Sequence, residues 1–342
     1  MSNRFFNVFK KNRIKYLFIS IVSVGLFIYG YMPAYQIYNS QGEQVDFETL
    51  VNSAKKADIV FFGEQHNNPI DHWLELRLLK ALYENSKDKL VVGAEMFESD
   101  GQLLIDEYFS EHISQKSFEK EERLWGNYKT DYKPLLEFAK KKKLRFIATD
   151  IPRRYAASVA KKGLAILDSL QGSSLKYIAD IPFKIDSTLK VYKELAEMSS
   201  GMSVTKDKNK KEMHGAAKKD INAKTDTTKL KEQKEEAAQM KEMMKKHGVG
   251  HIVEAQAIKD ATMAKFILKN FKDGDQFLHF DGSKHSDYHE GIVWYIKQAR
   301  PDLKILVISS VDQYSVDSLE NENKTLGDFI VVTPEDLTNT NR

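Results

Sequence analysis

The chain has 342 residues, of which 42% are hydrophobic and 30% charged, and it contains no cysteine. This composition is typical of a globular protein and excludes collagen-like, coiled-coil and wholly disordered chains. The absence of cysteine excludes disulfides, thiolate metal sites, a cysteine nucleophile and an acylated cysteine as a lipid anchor. The formal net charge is +3, with the excess of lysine and arginine in residues 1–15 and 201–250. The remaining residues are acidic overall, which argues against a nucleic-acid partner.

A basic segment followed by an apolar one opens the chain. Residues 1–15 carry five Lys or Arg and no acid, and Tyr16–Met32 has no charged residue. This pattern is typical of a secretory signal peptide or a short membrane anchor, and a buried core helix is the third interpretation. In the first two cases the basic residues stay in the cytoplasm. We therefore expect an extracytoplasmic protein of the periplasm or cell envelope, either anchored in the inner membrane by residues 16–32 or directed across it.

Apolar runs and amphipathic helical segments alternate in the rest of the chain. Asp58–Gly63 and Lys89–Met96 are apolar runs on either side of Pro69–Ser86, whose apolar residues recur at helical spacing. The alternation continues, with further predicted strands at Leu144–Asp150, Gln276–Gly282 and Leu303–Ser310. It predicts a three-layer α/β fold, in which a mostly parallel sheet is flanked by helices and a smaller helical subdomain is attached.

Residues 201–250 interrupt this pattern. They are rich in lysine and methionine and poor in branched apolar residues, so we expect a solvated insertion or lid in the helical subdomain. Met240, Met244, His247 and His251 recur at helical spacing, and their common face either rests on the body or contacts a ligand. The predicted organisation is a targeting segment at 1–33, an α/β domain in two parts at 34–200 and 251–342, and the insertion at 201–250.

Polar residues cluster where the predicted strands end. Glu64 and His66 follow the first strand, Glu95 ends the second, and His285 follows the strand that ends in HFDG. Because loops after parallel strands open at the same edge of a sheet, we expect these four side chains to share one pocket. His66 and His285 each lie three residues after a glycine, so a G-x-x-H pattern occurs twice.

Carboxylates and neutral imidazoles suit a divalent metal ion with an open coordination position. The four residues therefore predict a metal site, which would support a metal-dependent hydrolase with Glu64 and His66 as catalytic residues. Two neighbours have structural explanations of their own. Asp150 precedes a helix that begins with proline and is explained as its N-cap, and His279, inside a strand, is explained as a hydrogen-bonded core histidine. The alternative is that both, with Asp281, join the same crevice.

Six motifs follow one another along the chain: FGEQHNNP, GAEMFE, LWGNYKTDYKPLLEFAK, IATDIPRRYA, AQAIKDATMA and HFDGSKHSDYHEGI. Together they resemble the ChaN-like haem-binding proteins of the Tiki/TraB-like superfamily. The resemblance implies an exported, often lipid-anchored protein linked to iron, with haem bound between paired monomers. In superfamily relatives that are metal-dependent peptidases and esterases, the positions of Glu64, His66, Glu95 and His285 hold metal or take part in catalysis.

The chain departs from the family pattern in two places. It lacks the cysteine of the lipid-anchoring signal, so an anchor would have to be the N-terminal helix. The insertion at 201–250 falls in the helical part where haem contacts are expected, which leaves the axial ligand of the iron unassigned.

A haem site needs an axial His, Tyr or Met, apolar walls and cations for the propionates. Since no C-x-x-C-H motif occurs, attachment would be non-covalent. The residues that offer these groups are Arg153, Arg154, Lys161, Lys162, Tyr128, Tyr132, Tyr155, Tyr192, Met240, Met244, His247 and His251. The first functional hypothesis is a homodimeric haem-binding protein of iron uptake. The alternatives are the metal-dependent hydrolase and a non-catalytic anchored scaffold.

Overall fold

The computed structural model describes residues 33–200 and 251–340. The predicted signal or anchor, the Lys/Met-rich insertion and the ligand candidates Met240, Met244 and His247 lie outside these residues. Within the two described ranges, no helix is both long enough and apolar enough to cross a membrane.

An eight-stranded sheet forms the middle layer. Its strands are β1 (Gln36–Asn39), β2 (Gln44–Val45), β3 (Ile59–Glu64), β4 (Leu90–Glu98), β5 (Arg145–Asp150), β6 (Gln276–Gly282), β7 (Ile305–Gln313) and β8 (Phe329–Pro334). The spatial order is β2-β1-β8-β7-β3-β6-β4-β5. Neighbouring strands from β8 to β5 are parallel, whereas β1 is antiparallel to both β2 and β8. The sheet is therefore mostly parallel, with an antiparallel hairpin at one edge.

Helices cover both faces of the sheet. The α-helices are α1 (Phe47–Ala54), α2 (Pro69–Ser86), α3 (Gln102–Phe109), α4 (Gln115–Glu121), α5 (Lys133–Lys142), α6 (Arg153–Lys162), α7 (Lys190–Ser200), α8 (Ile252–Asn270) and α9 (Ile292–Ala299). Short 3-10 helices lie at Lys87–Lys89, Ser99–Gly101, Leu164–Ser169, Gly172–Tyr177, Ser283–His285, Asp287–His289 and Asn321–Thr325.

The two sides of each central strand contribute to different cores. On β3, Val60 and Phe62 pack with leucines of α2 and α5 on one face of the sheet. Ile59 and Phe61 pack on the other face, against apolar residues of α8 and α9. Because successive side chains of a strand point to opposite faces, a fully apolar strand is what a sheet covered on both sides requires.

A smaller helical part packs against α8. Ile151, Val159 and Ile178 form a separate buried cluster with Ile258 of that helix. Helix α8 therefore has two roles, since it covers one face of the sheet and carries the smaller helical part.

All five strands that the apolar runs predict lie in this one sheet, which confirms the three-layer α/β fold. Sequence reasoning missed β8, β1 and β2. The last two have only four and two residues and include polar side chains. Strand β1 joins the sheet by pairing with β8, which lies almost 300 residues later in the chain. The local sequence pattern therefore carries little information about this pairing.

A glutamine side chain covers part of the exposed edge of the sheet. Strand β5 is the last strand on its side. Gln102 of α3 donates a hydrogen bond of 2.9 Å to the carbonyl of Phe146 and accepts one of 2.7 Å from the amide of Ala148. The side-chain amide thus pairs with the strand as a neighbouring backbone would, which protects an edge that is otherwise free to pair with another chain.

We expect Gln102→Ala to lower the free energy of unfolding by about 1–2 kcal/mol, because it removes the partners of one backbone N–H and one C=O. Gln115→Ala is the matched control, since Gln115 is exposed and its amide bonds to half-buried Glu119 on the same helix, and it should cost less than about 0.5 kcal/mol. Urea unfolding measures both values. Equal effects of the two substitutions would show that the edge contact contributes nothing to stability.

Candidate functional site

The two G-x-x-H segments leave adjacent strands at the same level of the sheet. Strands β3 and β6 are parallel neighbours, with Glu64 paired to Gly282. A Cβ atom on Gly282 would lie 2.6 Å from the imidazole of His66, and one on Gly63 would lie 2.8 Å from the Cα of Ser283. Glycine is required at both positions because the two segments cross in contact. Close packing of the two segments thus explains the glycine of each G-x-x-H pattern.

Glu95 lies at the centre of a buried charge network. Its Oε2 accepts a hydrogen bond of 2.9 Å from the amide of Gly282, and its Oε1 lies 2.5 Å from Lys259 Nζ and 3.1 Å from His285 Nε2. The other nitrogen of His285, Nδ1, bonds to the carboxylate of Asp260, which also accepts a hydrogen bond of 2.7 Å from the Tyr192 hydroxyl. We name this set the Glu95 network.

The Glu95 network is nearly balanced in charge. Burial alone would raise the pKa of Glu95, but the charges of His285 and Lys259 outweigh it and hold that pKa well below its usual range. Burial alone would lower the pKa of His285, yet the carboxylates of Glu95 and Asp260 raise it to about 10. His285 is therefore an imidazolium at neutral pH, and both of its N–H groups donate to carboxylates.

Asp150 lies at the edge of this network. Burial raises its pKa to about 7, although Lys259 Nζ lies 3.8 Å away. The N-cap explanation of Asp150 is wrong: the cap position of α6 is Pro152, and the Asp150 carboxylate accepts from the amide of Ile151. His279 is a core histidine as described, fully buried between Thr149 and Asp281.

Glu64 and His66 form a second pair beside the Glu95 network. Glu64 Oε1 accepts hydrogen bonds of 2.8 Å from His66 Nδ1 and 2.6 Å from the Tyr132 hydroxyl. Burial alone would lower the pKa of His66, but the bond to Glu64 and the charges of Glu95 and Glu64 raise it. The His66 side chain is 39% exposed and contacts Trp125 edge to face at 4.9 Å. A histidine held by a buried carboxylate and open to solvent is suited to accept and deliver protons.

Two residues that the sequence reasoning missed lie behind Glu64. His72 Nδ1 is 3.0 Å from Glu75 Oε2 and 3.5 Å from Glu64 Oε2, and all three residues are buried. Burial and the charge of Glu64 raise the pKa of Glu75 well above its usual value. Burial would also raise the pKa of Glu64, but its hydrogen bond to His66, the adjacent Glu75 carboxyl and the charge of His72 lower it. We name Glu64, His72 and Glu75 the Glu64 cluster.

The structure thus brings Glu64, His66, Glu95 and His285 together at the carboxyl end of the sheet, and their role as metal ligands stays a prediction. Lys259, Asp260, His72 and Glu75 join them without having been identified. Lys259 and Asp260 occur in the motif AQAIKDATMA, and His72 and Glu75 are spaced i, i+3 on the inner face of α2. The sequence did contain a signal for these residues, because each of the two helices carries a pair of ionisable residues on a face that is otherwise apolar.

The haem candidates on α6 and at His251 lie apart from the Glu95 network and the Glu64 cluster. Arg153 and Arg154 begin α6, where they form ion pairs with Glu98 and Asp100, and Arg154 lies over the half-buried ring of Tyr155 at 4.6 Å. His251 precedes α8, and its side chain is 41% exposed. Three tyrosines considered as axial ligands are buried and are unavailable to a ligand at the surface; they are Tyr128, Tyr132 and Tyr192.

We expect the stabilising effect of His285 to depend on pH. Its pKa of about 10 in the folded protein lies above the unfolded value of about 6.5. The stabilisation is therefore complete below about pH 6.5 and is lost as the pH rises through about 10. His285→Gln should lower the free energy of unfolding by about 3–5 kcal/mol at pH 6, because it leaves buried carboxylates unpaired, and by much less at pH 10.

Urea unfolding of wild type and His285→Gln between pH 6 and pH 10 tests this expectation. His289→Gln is the control, since His289 is 39% exposed and pairs only with half-exposed Asp328. A penalty for His285→Gln that stays constant over this range would contradict a charged His285.

Comparisons with known proteins identify a matching family model and several similar solved structures. The chain matches ChaN of Campylobacter jejuni, whose structure is described as cofacial heme binding, with 16% identity and a TM-score of 0.55 over 87% of this chain and 96% of that one. A protein from Bacillus cereus matches with 11% identity and a TM-score of 0.44 over 84% and 91% of the two chains. The erythromycin esterase EreC matches with 13% identity and a TM-score of 0.40 over 87% and 83%. At 16% identity, the likeness to the Campylobacter jejuni protein shows the fold alone.

No curated protein matches the sequence. The family model described as "Haem-binding uptake, Tiki superfamily, ChaN" matches residues 50–296, which is more than half of the chain. The match includes both G-x-x-H segments, Glu95, and the helices α6 and α8. The chain therefore belongs to the ChaN family of the Tiki superfamily.

Proposed function

We propose that this chain is an exported protein of iron and haem uptake that holds haem non-covalently between two copies. The observation that carries the proposal is the family match over residues 50–296, whose description is haem-binding uptake. The structure from Campylobacter jejuni, entitled "Cofacial heme binding", supports binding between paired molecules. The absence of cysteine fits a haem that is held by coordination and packing.

Among the described residues, His251 is the best candidate for the axial ligand. Its Nδ1 lies 2.7 Å from the carboxylate of Glu254, which also accepts a hydrogen bond of 2.6 Å from the amide of Leu164. This contact fixes the ring and makes Nδ1 the protonated nitrogen, so that the lone pair of Nε2 is left for a metal. Gly163 provides the space, since a Cβ there would lie 3.0 Å from the ring.

Cations for the propionates lie beside His251. Its backbone amide donates to the carbonyl of Ala160 near the end of α6, and Lys161 and Lys162 follow there with exposed side chains. At the opposite end of α6, Arg153 and Arg154 are already paired with carboxylates. We therefore assign the propionates to the lysine end of the helix, where charge is available.

Export and membrane attachment rest on residues 1–33, which precede the described part of the chain. The basic segment and the apolar run Tyr16–Met32 support a signal peptide or anchor. Fractionation of cells that express the full chain tests this assignment. Recovery of the protein only in the soluble cytoplasmic fraction would contradict it.

Hemin titration of the full chain, followed by the Soret absorbance, tests the haem assignment. We expect saturable binding by the wild type, with His251→Ala weakening the affinity at least tenfold and shifting the Soret maximum, because the iron loses its nitrogen ligand. His289→Ala is the matched control, since His289 has nearly the same exposure as His251 and also contacts a carboxylate. Its affinity should equal that of the wild type.

Two outcomes would contradict different parts of the proposal. Failure of the wild type to bind hemin would remove the haem function. Unchanged binding by His251→Ala would remove His251 as the ligand and leave the function in place.

Sedimentation of the full chain with and without hemin tests the pairing, and we expect a shift from monomer to dimer when hemin is added.

A metal-dependent hydrolase is the second candidate. The observation that favours it is the pair of Glu64 and His66, in which a buried carboxylate orients a partly exposed imidazole beside the Glu95 network. His66 would then act as a general base and Glu64 as its positioning residue or as a ligand, with Glu95 and His285 nearby. Hydrolysis of a panel of activated esters and peptides that disappears in His66→Gln would support this candidate.

A further inference from the structure

At the carboxyl end of the sheet, the Glu95 network and the Glu64 cluster differ in how the negative charge of their carboxylates is compensated. In the Glu95 network, Lys259 and protonated His285 bring positive charge to the buried carboxylates. The Glu64 cluster is surrounded by further buried carboxylates, those of Asp71 and Asp131. Among residues 33–200 and 251–340, no Lys or Arg forms an ion pair with Glu64, Glu75, Asp71 or Asp131. The ion pairs of Glu64, Glu75 and Asp131 are to histidines instead.

His72 is oriented so that one nitrogen faces the two glutamates. Its Nε2 lies 3.0 Å from the carbonyl oxygen of His66 and 3.2 Å from Asp131 Oδ2, and both of these atoms accept hydrogen bonds. Nε2 therefore carries a proton. Nδ1 faces Glu75 Oε2 and Glu64 Oε2, which are acceptors as well. Acceptors that face one another require a proton or a cation between them.

Two buried oxygen atoms provide a second and independent observation. Glu64 Oε2 and Glu75 Oε1 are both buried without a hydrogen-bond partner. Each side chain is at most 2% exposed, and an unpaired buried carboxylate oxygen is costly. One atom of each of the three side chains lies within 4.8 Å of the other two. The unpaired Glu64 Oε2 faces His72 Nδ1, and the unpaired Glu75 Oε1 belongs to the carboxylate whose other oxygen faces it.

We propose that Glu64, His72 and Glu75 ligate a divalent first-row transition-metal ion of the Zn²⁺ or Mn²⁺ type. The separations of 3.0 and 3.5 Å between Nδ1 and the two carboxylates match those of neighbouring ligands around an ion with bonds of about 2.0–2.2 Å. An imidazole among the ligands favours such an ion over Mg²⁺ or Ca²⁺. Asp131 and the carbonyl of His66 fix the His72 tautomer, as outer partners of metal-bound histidines do.

This site differs from the predicted set of Glu64, His66, Glu95 and His285, with which it shares only Glu64. In the predicted set, Lys259 already lies 2.5 Å from Glu95 and supplies the positive charge that a metal would supply. The site is also independent of the haem assignment, because it includes neither His251 nor any residue of α6.

Equilibrium dialysis of the full chain against Zn²⁺ and Mn²⁺, with elemental analysis of the protein, tests the proposal. We expect the wild type to retain one more equivalent of metal than Glu75→Gln, whose side chain keeps the volume but lacks the ligand charge. His72→Gln should lose the same equivalent. Glu122→Gln is the matched control and should retain it, because Glu122 is also a buried glutamate but lies outside the Glu64 cluster. Added Zn²⁺ should raise the melting temperature of wild type and Glu122→Gln only.

Three results would overturn the proposal. They are equal metal content in wild type, Glu75→Gln and His72→Gln, a loss of metal in Glu122→Gln as large as in Glu75→Gln, or displacement of Zn²⁺ by equimolar Mg²⁺. The far-ultraviolet circular dichroism spectrum of each variant shows whether it is folded. Since Glu75→Gln should bind hemin like the wild type, failure of the metal site and failure of the haem function remain distinguishable.

Discussion

Lys259 and His285 allow carboxylates to be buried at the end of the sheet. A charged carboxylate without partners would cost several kcal/mol in this position, and Glu95 is only 2% exposed at the end of β4. Both cations depend on α8, since Lys259 lies on this helix and its neighbour Asp260 holds the imidazole of His285. The path of α8 across the sheet is therefore fixed by charge as well as by apolar packing. The smaller helical part and His251 take their positions from the same helix.

Glu64 connects two regions of different electrostatic character. On one side lies the Glu95 network, in which lysine, imidazolium and carboxylates neutralise one another. On the other side lies the Glu64 cluster, where the carboxylates of Glu64 and Glu75 face a single histidine. The haem face that we propose on α6 and at His251 contains different residues from both. This fold therefore places two groups of ionisable residues at the end of the sheet that are separate from the proposed haem ligand.

The central strands and the four residues at their ends were predictable because the signals are local. An apolar run of six residues such as Ile59–Glu64 shows a strand buried on both faces, and the ends of parallel strands meet at one edge. His72 and Glu75 were not found because they lie inside a helix and not at a strand end. Lys259 was not found because it also lies on a helix and its partner comes from a distant segment. Glu95 and Lys259, for example, are separated by 164 positions. Sequence alone also favoured tyrosines such as Tyr132 as ligands, since it does not show that the hydroxyl bonds to buried Glu64.

The position of β6 determines when the sheet can be completed during synthesis. Strands β3 and β4 are made early, but they do not pair with each other, because β6 lies between them. A nascent chain that ends before Gln276 therefore has two apolar strands with facing edges that still lack their common partner. Contacts of such long sequence separation form slowly, and open strand edges favour association with other chains. Folding of the site is consequently a late event that requires nearly the whole chain.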